Sequence, residues 1–322
     1  MPPGRPPDLD PAIAASMRAV RLHRRGGPEA LALEQIATPS PRVGEALVRV
    51  HAAAITRDEL EWPVDRLPAI PSYELSGVVA ALGQGAESVA IGEPVYALLG
   101  FDRDGAAADY TAVPAALLAP KPRTLGHIES AAVPLAALSA WQGLFDYGGL
   151  REGQRVLIHG AAGGVGQFAT QLAHRRGAHV LGTASRPDHD LARGFGADEV
   201  LDGTVADLAG AVEPVDLVFD TVGGERLERS PAIVRDGGRI VSIAEEPSER
   251  VSRAPIEARY FVVEPDSGQL VEIGRMLDRG ELRVAIDSVF PLEDARAAFE
   301  RSLATGKRGK VVLRVAGDET AA

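Results

Sequence analysis

The sequence predicts an α/β protein in two parts, a β-rich barrel or sandwich domain followed by a doubly wound parallel-sheet domain. Between about residue 17 and residue 120, short alternating stretches at 18–22, 47–52, 77–81, 94–98 and 110–113 are broken by Gly and Pro, the pattern of an antiparallel domain. From about residue 140, strand and helix alternate. Apolar runs at 156–159, 179–183, 216–220 and 239–243 read as strands covered on both faces. Where the first of these strands meets its helix, residues 155–166 read RVLIHGAAGGVG, an apolar run feeding a glycine-rich turn.

That turn is the most informative stretch of the chain. Val156, Leu157 and Ile158 form the buried strand, and Ala161, Gly163 and Gly166 take the three small-residue positions of a G-x-G-x-x-G fingerprint, with Ala in place of the first Gly. Ala161 is expected to permit the tight turn, Gly163 to let backbone N–H groups approach a pyrophosphate, and Gly166 to let helix and strand pack closely. The amides around Gly164, Val165 and Gly166 then sit at the positive end of the helix. Residues 167–176 place Phe168, Ala169, Leu172 and Ala173 on one face, and Gly177 stops the helix. The next strand ends about twenty residues past the central glycine, where an NAD site offers Asp or Glu to the ribose hydroxyls. Ser185 and Arg186 stand there instead, with no carboxylate to repel a ribose 2′-phosphate, so NADP(H) is preferred over NAD(H). The competing reading makes Ser185 a helix cap and Arg186 a solvated charge.

Composition limits the function classes. A chain of 322 residues, 45% hydrophobic, can bury two cores, and a net charge of −11 disfavours general affinity for nucleic acid or anionic membranes. The richest apolar stretch, 131–141, is interrupted by Pro134 and falls short of a membrane span. Residues 1–16 are proline-rich, lack a signal-peptide core and are expected to be a disordered leader. With no cysteine there is no disulfide, thiolate nucleophile or cysteine-ligated zinc, which fits a cytoplasmic enzyme. The seven histidines show no metal-ligand spacing.

Further motifs carry a resemblance. GADEVLD (residues 196–202), DLVFDTVGG (216–224), GGRIVSI (237–243) and RGKVVLRV (308–315) follow the glycine turn. PSYELSGVV (71–79), IGEPVYALLG (91–100) and AAVPLAALSAWQGLF (131–145) precede it. In this order they resemble the zinc-independent quinone oxidoreductase branch of the medium-chain dehydrogenase/reductase superfamily, from Met17 onward. The resemblance implies a GroES-like catalytic domain over 17–138 and 289–322, a Rossmann NADP-binding domain over 139–288, and a homodimer. It also places Thr221, Val222 and Gly223 beside the adenosine half of the coenzyme, and Ser242 and Ile243 near the nicotinamide. Phe261, Val262 and Val263 close over the ring, and Lys310 is a candidate for the ribose phosphate.

Where zinc-dependent relatives carry a Cys and a His as catalytic ligands, this chain has Thr56 and Tyr73, so the site is expected to be metal-free. Carbonyl polarisation must then come from hydrogen bonds, which favours hydride addition to an electron-poor quinone or α,β-unsaturated carbonyl over alcohol oxidation. Tyr73 and Thr56 are the candidate catalytic residues. Tyr73 could donate to the developing oxyanion or simply pack its ring, and Thr56 could position a carbonyl or the nicotinamide ribose or simply hydrogen-bond within a turn. Asp58, Glu59 and Glu74 are weaker acid/base candidates, with Glu74 read as a structural acceptor between domains and Asp58 with Glu59 as the start of a helix. Trp62 and Trp141 could wall an aromatic pocket or fill a core. The partners expected are a small quinone or enone and a second copy of the chain, with no nucleic acid and no membrane. The alternatives are an NADPH-binding sensor or scaffold with little catalysis, and an enzyme of specialised metabolism with altered chemistry.

Overall fold

The computed structural model describes residues 13–62, 66–203, 210 and 212–316, and these fall into two compact units. The first contains the described residues up to Pro134, Pro265–Glu281 and those from Ile286 onward; the second contains Leu135–Glu264 and Leu282–Ala285. Most of the expected leader lies outside the described residues. Its last part does not behave as a leader, because Thr38 donates to the carbonyls of Ala14 (2.7 Å) and Ala15 (3.0 Å) and Ser16 begins a strand.

In chain order the strands of the first unit begin with β1 (Ser16–Leu22) and β2 (Leu31–Ala37), an antiparallel pair. There follow β3 (Glu45–Ile55), β4 (Glu74–Leu82), β5 (Pro94–Leu98), β6 (Tyr110–Pro114) and β7 (Ala119–Pro120). The second unit contributes β8 (Arg155–His159), β9 (His179–Ala184), β10 (Glu199–Asp202), β11 (Val215–Asp220), β12 (Val234–Ser242) and β13 (Glu257–Tyr260). The chain then returns to the first unit with β14 (Ile286–Pro291) and β15 (Lys310–Arg314).

The first unit is built on β3. This strand is buried along almost its whole length because it pairs with β4, β6 and β15, in a sheet ordered β14-β15-β3-β4-β5-β7. Such crossing of partners needs close backbone contact. A Cβ on Gly77 of β4 would lie 2.2 Å from the Arg49 carbonyl, so only Gly fits there. Residues Pro265–Glu281, expected with the nucleotide-binding part, cluster with this unit instead. Their helix, Ser267–Asp278, is capped by Asp266 accepting from the Gln269 amide (2.8 Å), buries Leu270, Ile273 and Leu277, and receives the Tyr96 hydroxyl on the Leu270 carbonyl.

The second unit is a six-stranded sheet ordered β10-β9-β8-β11-β12-β13 with every pair parallel. Its order reverses direction between β8 and β11, which makes the carboxyl ends of those strands the switch point of a doubly wound sheet. Leu157, Leu181, Val218 and Ile240 form the centre of one core with Leu227, Ile233 and Val251. The helix Gly166–Arg175 buries Phe168, Ala169, Leu172 and Ala173, the face read from the sequence, and Gly177 follows at φ 77°.

Candidate active site

In the second unit the candidate coenzyme residues gather at the carboxyl edge of the sheet, after β8, β9, β11, β12 and β13. The turn between β8 and its helix works differently from the sequence reading. Gly160, not Ala161, makes the sharp bend, at φ 74°, so the glycine spacing is Gly160, Gly163, Gly166. Ala161 is fully buried in close contact with Gly182, where a Cβ would lie only 2.6 Å from that of Ala161. A Cβ on Gly166 would sit 1.9 Å from the Gly160 carbonyl, so the close approach assigned to Gly166 is a steric requirement. Gly163 donates to the same carbonyl (2.9 Å), and no side chain caps the helix behind Val165. With Gly164, these residues form a glycine-rich turn at an uncapped helix N-terminus, a place that suits a pyrophosphate.

Hydroxyls fix this turn. Thr183 of β9 receives the Gly160 amide (3.1 Å) and lies 3.3 Å from Nδ1 of His159, whose Nε2 is 3.1 Å from the Ser230 hydroxyl. Burial pushes His159 down to about 4, so it is neutral. Thr221 donates to the His159 carbonyl (2.7 Å) and joins the turns after β8 and β11. Behind them, buried Asp220 accepts from the amides of Val222 (3.2 Å) and Gly223 (3.1 Å) and from the Ser242 hydroxyl (2.9 Å). Ser242 is therefore committed to the turn. Ile243 follows with its amide on the Asp220 carbonyl (3.0 Å). Val222 is exposed, as is Val262, while Phe261 and Val263 are buried and the Phe261 ring meets Tyr147 at 4.5 Å.

Ser185 and Arg186 differ from expectation. Both are exposed, but the Ser185 hydroxyl donates to Asp188, and Arg186 Nε donates to Asp202 Oδ2 at 2.9 Å. The sequence reading of a place without carboxylates is corrected, because one lies three residues ahead and the other arrives at the end of the neighbouring strand.

In the first unit Thr56 and Tyr73 come together through a carboxylate set aside in the sequence reading. Glu59 is 3% exposed and accepts the amides of Thr56 (3.1 Å) and Ser72 (2.9 Å), tying the loop after β3 to the segment entering β4. Desolvation raises its pKa to about 8 against the two amides and Lys310, with Glu74 adding to the rise. Ser72 turns at φ 67°, an unusual conformation for a residue with a side chain, and delivers Tyr73 into an aromatic group. The Tyr73 ring stacks on Trp62 (centroids 5.9 Å) and meets Phe101 edge-on (5.3 Å); burial, then the Glu59 charge, push its phenol up to about 12. The ring is thus packed, as one of the two readings had it.

Lys310, the candidate for the ribose phosphate, is not a surface lysine. It is 5% exposed, its ammonium pairs with Glu74, and it lies 3.4 Å from the Thr56 hydroxyl. Among the described residues no three His, Cys, Asp or Glu side chains gather to hold a metal. At Thr56 a buried ammonium stands beside the hydroxyl, and Tyr73 offers only a phenol, a donor set that does not fit zinc. Glu74, read as a structural acceptor between domains, accepts instead from Lys310 of its own unit, and Glu59, read as the start of a helix, clamps two loop amides.

Two family models match the chain: an alcohol dehydrogenase GroES-like domain over residues 42–123 and a zinc-binding dehydrogenase over 195–313. A probable zinc-binding oxidoreductase, mitochondrial, of Arthroderma benhamiae is 33% identical over 88% of this chain and 93% of its own length. An NADPH-dependent alkenal/one oxidoreductase, chloroplastic, of Arabidopsis thaliana is 30% identical over 92% of this chain and 80% of its own. The quinone oxidoreductase from Coxiella burnetii superposes with a TM-score of 0.88 at 30% identity, covering 94% of this chain and 100% of that one. No helix among the described residues is long and apolar enough to cross a membrane.

Proposed function

Because this chain belongs to the quinone oxidoreductase-like branch of the medium-chain dehydrogenase/reductase superfamily, we propose that it reduces a quinone or an α,β-unsaturated carbonyl with NADPH, without a metal. The observation that carries this reading is the turn of Gly160, Gly163 and Gly166, where Cβ atoms added at Gly163 and Gly166 would meet the Gly160 carbonyl and no side chain caps the helix end that an anion would use. When bound there, NADPH supplies a hydride equivalent. Thr221, Val222, Gly223 and Ile243 shape the adjoining edge, and Phe261, Val262 and Val263 supply an apolar cover for a flat ring.

At the reacting carbonyl we assign a hydrogen-bonding part to the Tyr73 phenol, which stays protonated at any physiological pH. Its high pKa suits donation to an oxyanion better than full proton release, so solvent delivers the proton. Thr56, 3.4 Å from the Lys310 ammonium, is the second polar group offered to substrate. A conjugated acceptor needs no stronger polarisation than this. The homodimer expected from the resemblance belongs to the same reading and is checked by sedimentation.

The test is turnover. Purified protein is mixed with NADPH and a panel of benzoquinones, naphthoquinones, alkenals and cyclic enones, and both loss of reduced nicotinamide and formation of reduced product are followed. The expected result is stoichiometric conversion of at least one class. Tight NADPH uptake with no conversion across the panel would make the protein a binding module instead.

A further inference from the structure

The carboxylates beside Ser185 and Arg186 suggest a control on coenzyme choice, which rests on the nicotinamide reading above. β9 and β10 run parallel with Asp202 opposite Ala184, and the Gly203 amide bonds to the Ala184 carbonyl at 2.8 Å. This register sets the end of β10 beside the start of the Ser185–Arg186 loop. Arg186 has 85% of its side chain exposed, whereas Asp202 has 17%. The acid is therefore the fixed partner and the guanidinium the movable one. A second guanidinium nearby, Arg226, is directed at the Gly203 carbonyl through Nε (3.0 Å) and Nη2 (2.7 Å).

A ribose 2′-phosphate docking on Arg186 meets a cation already matched with a carboxylate. Two anions then share one guanidinium, and the Ser185 hydroxyl must leave Asp188 to contribute. The uncharged ribose diol of NADH meets neither demand and can use a carboxylate as acceptor. We infer that Asp202, acting through Arg186, sets the coenzyme preference of this protein and holds down its discrimination in favour of NADPH. The adenosine end then accepts both coenzymes, with Arg186 favouring the phosphate and Asp202 opposing it.

Calorimetric titration of NADPH and of NADH into wild type, Asp202→Asn, Arg186→Gln and the double variant tests this. Asp202→Asn is expected to tighten NADPH by about three- to tenfold, since an exposed pair is worth about 1 kcal/mol or less and a like charge is removed as well. NADH affinity should stay within about twofold, Arg186→Gln should weaken NADPH selectively, and the gain from Asp202→Asn should shrink in the Arg186→Gln background. An unchanged NADPH:NADH ratio in Asp202→Asn, or equal changes for both coenzymes, overturns the inference while leaving the nicotinamide reading intact. Uptake of neither coenzyme by wild type overturns both.

Discussion

Glu59 gives the chain a pH-dependent stability that can be worked out in advance. Its carboxyl titrates at about 8 in the fold and near 4.5 when unfolded. A raised carboxylate pKa means that the native state holds the extra proton. Its contribution is full below about 4.5 and is lost as pH climbs to about 8. The limiting loss is about 5 kcal/mol at 1.36 kcal/mol per unit, of which about 4 kcal/mol falls between pH 5 and 9. That is a large fraction of the stability of an ordinary domain. Glu59→Gln removes the titration and leaves one of the amides of Thr56 and Ser72 facing an NH2 group, for a pH-independent loss of about 1–3 kcal/mol. Urea unfolding read from tryptophan fluorescence across this pH range should show wild type losing about 4 kcal/mol more than Glu59→Gln. Parallel pH profiles would refute the reasoning, whatever the offset between them.

Other consequences follow from the same geometry. Gly166→Ala forces a Cβ onto the Gly160 carbonyl, so NADPH affinity should fall at least about a hundredfold in calorimetry while unfolding stays cooperative. Lys310→Met strips Glu74 of its ammonium and should lower stability by about 3–5 kcal/mol in urea; adding Glu74→Leu should restore much of it. Phe219→Ala opens a cavity beside Gly143, with an expected loss of about 3–5 kcal/mol by the same measurement. Tyr73→Phe should reduce kcat about ten- to a hundredfold with little change in KM for the coenzyme; an unchanged kcat would leave the tyrosine a packing residue.

How far these features were legible in the sequence depended on whether their causes were local. The strand Pro94–Leu98 was read with its observed bounds because it is a short apolar run ended by Gly100, and the helix after the glycine turn was offset by a single residue. Strands β2, β13 and β14 gave little signal. Each lies at an edge or in a two-stranded sheet, where one side meets water and polar residues such as Glu34 and Arg259 dilute the apolar pattern. β12 was shortened because Gly237 and Gly238 look like a turn rather than the irregular start of a strand. At the site, spacing from the glycine turn pointed to Arg186 but not to Asp202, since only the parallel register of β9 and β10 puts the two side by side. The Lys310–Glu74 pair and the clamp by Glu59 were beyond local reading for the same reason. Their partners lie on segments that meet only after the sheet has formed.

The imidazole of His159 stands at the root of the glycine turn, wedged between two alcohols and deprived of water. Because it gains its proton only near pH 4, well below an ordinary histidine, this imidazole stays uncharged throughout the neutral range. In the reading proposed above, main-chain dipoles, which do not titrate, would hold the pyrophosphate. On that reading, acid in the range of cellular compartments would leave the hold untouched, and a response of turnover to such acid would originate elsewhere in the chain.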